Sequence, residues 1–302
     1  MKQSNHAKIV VNGVTKKLIK LMETAKEDGG EWLKPFKTGD YSLYQVSSNG
    51  HVYKGFNIIN LWCEQMDKQY SSNVWGSYKE WKGHNCYVKK GQKATLVIYY
   101  KTLQFEGKGL KENGDPETYT VPFMRCWPVF NLNQVQGEIS QWEPKKEKKE
   151  PDTKVVPKEK ADSLVKNTKV KIKSIDNNRA YYHTKQDYIN MPRVENFYDT
   201  KGYYGTLFHE LTHSTGHESR LNRKMEGKFG SPSYAFEELV AELGASFLCG
   251  LQGLEKAPRI DHARYLNSWI KALKEQEGAI LKASGFASKA VDWIQEQSKG
   301  VK

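Results

Sequence analysis

The sequence predicts an α+β protein of two domains. Two runs rich in β-branched and aromatic residues, at residues 95–100 and 119–131, lie among helical patterns in the first half of the chain. A proline- and charge-rich stretch at residues 143–160 has no aromatic residue that could join a core. We therefore expect an α+β domain at residues 1–142, a charged flexible linker on which the domains can reorient, and a second domain at residues 161–302.

The composition fits two domains and a polyanionic partner. The chain has 302 residues, of which 38% are hydrophobic, enough for two separate cores. Its formal net charge of +12 favours a polyanion as partner. No apolar run reaches the length of a membrane span or resembles a signal peptide, so we expect a cytoplasmic protein without a membrane partner. The four cysteines lack CxxC spacing and predict reduced thiols.

The elements of the first half follow from periodicity and turn residues. Apolar residues at steps of three and four predict an amphipathic helix over residues 6–27. A second helix is expected around residues 58–62. The two β-rich runs predict long strands, the first preceded by a basic turn at residues 88–94 and followed by a loop at residues 107–118.

Beyond the linker, short strands precede the helices. Alternating patterns predict strands at residues 170–175 and 180–184. Residues 188–192 predict an edge strand, because a proline ends the run. The helix predicted to carry His209 and His213 comes next in the sequence.

Aromatic and basic residues alternate in the first half. Proteins bind single-stranded nucleic acid with aromatic rings that stack on bases and with cations that contact phosphates. The candidate DNA-binding residues are Trp32, Tyr53, Lys54, Asn57, Trp62, Trp75, Tyr78, Trp81, Lys82, Lys89, Lys90, Lys93 and Arg125. Each tryptophan is equally a candidate for the hydrophobic core, since most tryptophans of a small domain are buried.

The HELTH motif predicts half of a zinc site. His209 and His213 are four residues apart, so on a helix both imidazoles project from one face and can bind one ion. Glu210 points to the side of this pair, where its carboxylate can take a proton from water. Leu207 and Leu211 form an apolar stripe that supports the helical interpretation.

A third ligand must come from elsewhere. His217, just past Gly216, would have to continue the same helical face, and three ligands in line on one straight helix cannot surround an ion. A second helix, with Ser231 as its N-cap, places Glu238 and Glu242 on one face. We favour Glu238 as the ligand and Glu242 as hydrogen-bond partner of a ligand histidine, with one Zn²⁺ per chain. The alternative is a solvated acidic face.

Six segments, spread over nearly the whole chain and arranged in the same order, resemble segments of one known family. They are YKGFNIINLW (53–62), WGSYKEWKGHNCYVKKGQKATLVIYY (75–100), PVFNLNQVQG (128–137), DYINMP (187–192), FHELTHSTGHESRLNR (208–223) and YAFEELVAELGASFL (234–248). The chain resembles the ArdC-type antirestriction proteins of plasmids and phages, whose N-terminal half is shared with TraC-type plasmid primases. The resemblance implies a single-stranded-DNA-binding domain before a zincin-like metallopeptidase domain, which together protect the incoming DNA of a mobile element from host restriction.

Two classes of function remain open from the sequence. The first is a DNA-tethered metallopeptidase that acts on a protein substrate near DNA. The second is a DNA-binding protein that protects by occupancy, with a structural or vestigial metal site. Three convincing protein ligands favour an open, catalytic site, because a closed structural site uses four. A two-metal nuclease is disfavoured, since the motif lacks the paired carboxylates of that chemistry.

Overall fold

The computed structural model describes residues 2–27, 44–110, 116–142, 155–176, 179–225, 231–254, 262–275 and 278–299. The helices are α1 (Lys2–Glu27), α2 (Phe56–Asp67), α3 (Tyr78–Gly83), α4 (Glu159–Asn167), α5 (Thr200–Ser214), α6 (Pro232–Leu251), α7 (His262–Glu275) and α8 (Ala279–Lys299). The strands are β1 (Val46–Ser47), β2 (Val74–Gly76), β3 (Cys86–Val88), β4 (Thr95–Leu110), β5 (Pro116–Asn131), β6 (Val135–Gly137), β7 (Lys171–Lys173), β8 (Tyr181–His183) and β9 (Tyr188–Asn190). The predicted α+β class is confirmed. Trp32 and residues 143–154 of the predicted linker lie outside the described residues.

The first sheet is built around one long ribbon. Its strand order is β1-β2-β5-β4, in which β4 and β5 are antiparallel and 16 residues long each. The loop predicted at residues 107–118 is wrong for residues 107–110 and 116–118, because the two strands continue there past a register shift after Glu106. The remainder of that segment, 111–115, lies outside the described residues. The side chain of Asn57 on α2 holds the edge of β4: it donates to the Ile98 carbonyl and accepts from the Ile98 N–H, each at 2.8 Å.

The segment PVFNLNQVQG (residues 128–137) holds the basic turn at residues 88–94, which comes directly before β4. Asn131 is buried and donates to the Ser72 carbonyl at 2.8 Å, while its own oxygen accepts from the N–H of Asn133. Gln134 donates from its side chain to the carbonyl of Lys93 at 2.8 Å. The segment therefore fixes the backbone of the basic turn, which leaves the lysine side chains of that turn exposed.

The second sheet has the order β7-β9-β8. The prediction of β9 as an edge strand is wrong: it pairs in parallel with β7 and antiparallel with β8, and its three residues are buried. Pro192 follows the last paired residue and so does not interrupt the ladder. Strand β8 is therefore an edge strand of this sheet, and it lies beside α5.

Helices α5 and α6 begin at well-formed caps and pack directly against each other. Asp199 caps α5 by accepting from the Gly202 N–H, and Ser231 caps α6 as predicted, by accepting from the Tyr234 N–H. The helices approach closely at Gly244, where an added Cβ would lie 2.5 Å from Cγ2 of the fully buried Thr212. A larger residue at position 244 would hold the helices apart.

The two predicted domains share one core. A single hydrophobic cluster contains buried side chains of α1 and α2 together with those of α5, α6 and α8. The N–H of Gly55 donates to Oγ of Ser288 at 2.7 Å, and Lys54 forms an ion pair with Asp292. This packing contradicts the expected freedom to reorient, because the linker's composition carries no information about the apolar faces on either side of it. The domain limits stay a prediction.

The end of the predicted linker is held in place. The N–H of Val156 donates to Oγ1 of Thr200, and that of Lys158 to the hydroxyl of Tyr204, each at 2.8 Å. The flexible tether predicted up to residue 160 is therefore wrong for residues 155–160, the last two of which begin α4. Within the part of the chain that the structure describes, no helix is both long and apolar enough to cross a membrane.

The contact at Gly244 predicts a difference between two glycine substitutions. Gly244→Ala should be overpacked against Thr212, whereas Gly285→Ala, on α8, meets no atom within 4 Å. Both gain about 1 kcal/mol of helix propensity. The overpacking should therefore lower the free energy of unfolding of Gly244→Ala by about 1–3 kcal/mol relative to Gly285→Ala, measured by denaturant titration. Equal stabilities would show that α5 and α6 can separate freely.

Candidate metal centre

The structure brings the three predicted metal ligands together. His209 and His213 lie one turn apart on α5, with their Nε2 atoms 3.1 Å apart. Glu238 on α6 reaches both, with Oε2 3.5 Å from Nε2 of His209 and Oε1 3.4 Å from Nε2 of His213. One ligand atom from each residue lies within 4.8 Å of the others. Two imidazoles and one carboxylate are a donor set that fits a divalent ion and leaves a position open.

Two further glutamates contact the far nitrogens of the histidines. Oε2 of Glu242 lies 3.4 Å from Nδ1 of His209, and the predicted role of Glu242 as hydrogen-bond partner of a ligand histidine stays a prediction. Oε1 of Glu237 lies 3.3 Å from Nδ1 of His213, a contact that the sequence analysis missed. Each imidazole thus has a carboxylate on one nitrogen while the other nitrogen faces Glu238, an arrangement that fixes the tautomer and orientation of a ligand histidine.

Arg223 connects this cluster to the end of α5. Its guanidinium donates to both carboxylate oxygens of Glu237, at 2.7 and 3.1 Å. The same group donates to the Thr212 carbonyl at 2.8 Å and to Oγ1 of Thr215 at 2.7 Å. Arg223 therefore holds Glu237 in position and binds a carbonyl near the C-terminus of the helix that carries the histidines.

The charged groups of the cluster shift one another's pKa values. Burial lowers the pKa of His213, but Glu238 and Glu237 outweigh burial and raise it to about 10. Burial raises the pKa of Glu238, yet His213 and His209 outweigh it and hold this pKa far below its usual range. His213 and Arg223 likewise lower the pKa of Glu237 against the effect of burial. Both carboxylates are therefore ionised at neutral pH.

Glu210 shares a cavity with the cluster. The cavity has a volume of about 230 Å³. It is lined by Ala180, Tyr181, Tyr182, Thr184, His209, Glu210, His213, Met225, Tyr234, Glu237 and Glu238. Four of these residues come from β8 and its flanks, so the edge of the second sheet forms one wall. The side chain of Glu210 is buried but faces this space, where it can exchange a proton with a small molecule.

One tyrosine of the wall is held by an ionic network. The hydroxyl of Tyr182 donates to Oδ1 of Asp187 at 2.8 Å, and Arg220 forms an ion pair with the same carboxylate. Burial, with Asp187 next, raises the pKa of Tyr182 well above its usual range, so the hydroxyl stays protonated. Arg220 also donates to the Ser214 carbonyl at 2.7 Å, which connects the wall to the end of α5.

His217 lies apart from the cluster. Helix α5 ends at Ser214, and Nδ1 of His217 accepts from the N–H of Ser219 in the following turn. This position agrees with the argument that a straight helix cannot supply three ligands to one ion. Among the described residues, the cluster that could hold an ion is His209, His213 and Glu238.

The predicted DNA-binding residues divide into buried and exposed groups. Trp62, Trp75 and Trp81 are at most 1% exposed, so their burial contradicts the predicted stacking on bases. Tyr53 is half-buried, and the side chain of Asn57 is occupied by β4. The exposed candidates are Lys54, Tyr78, Lys82, Lys89, Lys90, Lys93 and Arg125. Of these, Lys54 is ion-paired with Asp292 and Lys89 donates to the Asn133 carbonyl.

The residues that the sequence analysis missed left weak signals. Glu237 is adjacent to Glu238 on a helix whose other residues are mostly apolar, and a step of about 100° along the helix separates the directions of these two side chains. Arg223, Asp187 and Arg220 lie on loops, where sequence periodicity gives no direction. Their roles follow only from the folded arrangement.

Both halves of the chain match known family models. Residues 8–130 match the N-terminal domain of the anti-restriction factor ArdC, and residues 159–286 match the zincin-like metallopeptidase model. A metal-free crystal structure of the antirestriction protein ArdC from plasmid R388 is 33% identical, with a TM-score of 0.75 over 97% of this chain and 98% of that chain. The Mn(II)-bound structure of the R388 protein is 34% identical, with a TM-score of 0.71 over 97% and 99% of the chains.

Similar sequences come from two organisms. An uncharacterized protein of Sinorhizobium fredii, y4eC, is 32% identical over 257 residues, which are 83% of this chain and 80% of that protein. The DNA primase TraC of Escherichia coli is 33% identical over 289 residues, which are 91% of this chain but only 26% of the primase.

The family models, the two crystal structures and the ligand cluster agree on the same assignment. The zincin-like domain and the Mn(II)-bound relative indicate a divalent metal site in this fold. With an ArdC N-terminal domain followed by a zincin-like metallopeptidase domain, this chain belongs to the family of ArdC-type antirestriction proteins.

Proposed function

We propose that this protein protects the incoming DNA of a mobile element from restriction in the cytoplasm of a host cell. In this proposal it binds single-stranded DNA and hydrolyses a peptide bond in a protein substrate near that DNA. The observation that carries the proposal is the position of Glu210, which lies in the same cavity as His209, His213 and Glu238. A proton acceptor next to an open ion site is the arrangement that metal-assisted hydrolysis requires.

His209, His213 and Glu238 would hold one Zn²⁺, and Glu242 and Glu237 would orient the two histidines. The donor set of two imidazoles and one carboxylate supports zinc, which commonly takes these ligands in catalytic sites. When bound, the ion supplies Lewis acidity, which lowers the pKa of water and polarises a carbonyl group. The ionised state of Glu238 and Glu237 supports their roles as ligand and as hydrogen-bond acceptor.

Glu210 would serve as general base and then as general acid. Its carboxylate would accept a proton from the attacking water and return it to the amine that leaves when the peptide bond breaks. This role needs no place among the metal ligands, and Glu210 lies outside the ligand cluster. The half-buried Tyr182, which is held by Asp187, would shape the wall against which a substrate lies.

The DNA partner is supported by exposed cations near the ribbon of β4 and β5. Lys89, Lys90 and Lys93 are exposed in the turn that leads directly into β4. The buried Gln134 binds the backbone of this turn, so the cations are presented on a fixed loop. Lysines placed in this way bind phosphates and release counterions, which gives affinity without sequence preference.

The second candidate function is protection of DNA by binding alone. It requires its own test because the metal site lies in a core that both parts of the chain share. A DNA-binding protein that protects by occupancy would need the metal site only for stability, and the buried charge cluster at the α5–α6 contact is consistent with that. The two functions differ in whether Glu210 is required.

The proposed ligand set predicts the metal content of variants. Glu238→Ala removes a carboxylate that faces both histidines, so it should bind much less zinc than the wild-type protein, which we expect to hold about one ion per chain. Purification followed by elemental analysis measures this content. Glu242→Gln and Glu237→Gln should retain the ion but bind it about 10- to 100-fold more weakly, because each only orients a histidine.

His217→Ala is the matched control for these variants. It removes an imidazole in the turn after α5 that contacts Ser219 rather than Glu238. Its metal content should equal that of the wild-type protein. Full metal content in Glu238→Ala, or loss of metal in His217→Ala, would contradict the ligand assignment.

The proposed role of Glu210 predicts a separation of chemistry from binding. Glu210→Gln should keep metal content, thermal stability and DNA affinity, because the amide is nearly the same size and Glu210 is not a ligand. It should lower peptide hydrolysis by about 10²- to 10⁴-fold, since an amide cannot accept the proton. Protection of DNA transferred into a restricting host is the decisive measurement.

The control for this variant is Glu218→Gln, which changes an exposed glutamate in the turn after α5. It should behave as the wild-type protein in every assay. If Glu210→Gln protects transferred DNA fully, hydrolysis is not the protective step and protection by occupancy is the function. If protection is lost with DNA affinity intact, hydrolysis is established.

The basic turn predicts the salt dependence of DNA binding. Replacing Lys89, Lys90 and Lys93 together by alanine should weaken single-stranded-DNA binding and reduce the slope of log affinity against log salt by about 2, at about 0.7 per phosphate contact. Fluorescence anisotropy at several salt concentrations measures the slope. A triple variant with an unchanged slope would place the phosphate contacts elsewhere on the protein.

A further inference from the structure

One face of the long ribbon of β4 and β5 carries exposed aromatic and basic residues. We call the surface formed by Tyr99, Lys101, Phe105, Arg125 and Trp127 the ribbon face. Tyr99 is 50% exposed, Phe105 44% and Trp127 46%. Large aromatic side chains that are exposed together on a pair of strands mark a binding surface for a ligand or a macromolecule.

The ribbon face points away from the core. Side chains alternate across a strand, so these odd-numbered residues share one side of the paired strands. The even-numbered residues of the two strands face the other side of the ribbon. There Ile98 is buried, and Met124 and Cys126 pack against the main core. Close to the sheet, Val97 and Val129 continue the ribbon face into a small cluster with Leu61 and Trp75. Beyond them, Tyr99, Lys101, Phe105, Arg125 and Trp127 are exposed to solvent.

Rings and cations alternate along this surface. Tyr99 lies directly opposite Arg125 in the ladder, and Val97 lies opposite Trp127. The guanidinium carbon of Arg125 is 4.1 Å from the centroid of the Trp127 ring. Lys101 lies one step further along the same face as Tyr99. Arg125 thus lies beside both Tyr99 and Trp127. The exposed lysines at residues 89–93 continue the positive charge at the base of the ribbon.

This pattern matches an unpaired nucleic acid strand better than a duplex. An unpaired strand offers the flat face of each base to an aromatic ring and a phosphate to the adjacent cation. A duplex hides its base faces and needs cations alone. Trp62, Trp75 and Trp81, which the sequence indicated as stacking residues, are buried, whereas the rings of the ribbon face are exposed and lie near the basic turn.

We propose that the ribbon face is the platform on which bases of single-stranded DNA stack, with Trp127 and Tyr99 as the stacking rings and Arg125 and Lys101 as the phosphate contacts. This inference rests on the proposed function, in which the protein binds single-stranded DNA. It adds where the strand lies and which side chains hold it.

The test compares neighbours on opposite faces of one strand in the full-length protein. The probe is a fluorescently labelled oligothymidylate of about 20 nucleotides, long enough to cover a site of this kind. Trp127→Ala and Tyr99→Ala should each weaken binding about tenfold without changing the salt slope, because stacking releases no counterions. Tyr100→Ala is the matched control, since Tyr100 is 58% exposed but lies on the opposite face of β4.

Two further variants separate stacking from charge. Trp127→Phe keeps a ring and should retain most of the affinity that Trp127→Ala loses. Lys101→Ala should reduce the salt slope by about 0.7. Thermal unfolding of every variant should match that of the wild-type protein, because the substituted side chains are exposed.

The outcomes separate this inference from the function on which it rests. If the wild-type protein binds the oligonucleotide but Trp127→Ala and Tyr99→Ala bind it equally well, the ribbon face is not the platform, while the proposed function stands. Equal losses in Tyr99→Ala and Tyr100→Ala would also overturn the inference. If the wild-type protein does not bind the oligonucleotide, the proposed function itself fails.

Discussion

The candidate site depends on the close contact between α5 and α6. Gly244 has no side chain and lies directly against the side chain of Thr212, so the backbones of the two helices approach closely. At that separation Glu238 and Glu242, on the same helix as Gly244, reach the histidines of α5 at 3.4–3.5 Å. A carboxylate at this range attracts an imidazolium more strongly in a buried place than in bulk water, and His209, Glu238 and Glu242 are buried. Packing and electrostatics therefore act at one place.

Burial of so many ionisable groups is costly unless each has a partner. Removing a carboxylate from water costs several kcal/mol, and a single unpaired charge would destabilise the fold. In the cluster, each of these charged groups contacts a group of opposite charge. The contacts form a chain: Arg223 to Glu237, Glu237 to His213, His213 to Glu238, and Glu238 to His209. The raised pKa of His213 is the consequence, since its carboxylate neighbours favour the charged imidazole in the absence of metal. A divalent cation bound there would take over the role of that proton.

The sequence predicts what depends on one helix more completely than what depends on packing. The spacing of His209 and His213 and the cap at Ser231 are properties of single helices, so local rules apply to them. Glu237 is different, because its partner is set by the crossing of two helices and by Arg223 from a loop. The burial of Trp62, Trp75 and Trp81 depends on which faces meet in the folded chain. The central place of β9 likewise depends on pairing with β7, which precedes it by more than a dozen residues.

Helix α8 shows why the shared core matters for function. At its middle, Ser288 and Asp292 contact Gly55 and Lys54, at the start of α2. The next residue, Trp293, lies beneath the guanidinium of Arg220, whose partner Asp187 holds the wall of the cavity. One helix thus contacts both the part that carries the ribbon and the part that carries the metal ligands. In the proposed function, a strand on the ribbon and a substrate in the cavity would keep a fixed separation. A substrate would then be chosen by its position relative to DNA as well as by the shape of the cavity.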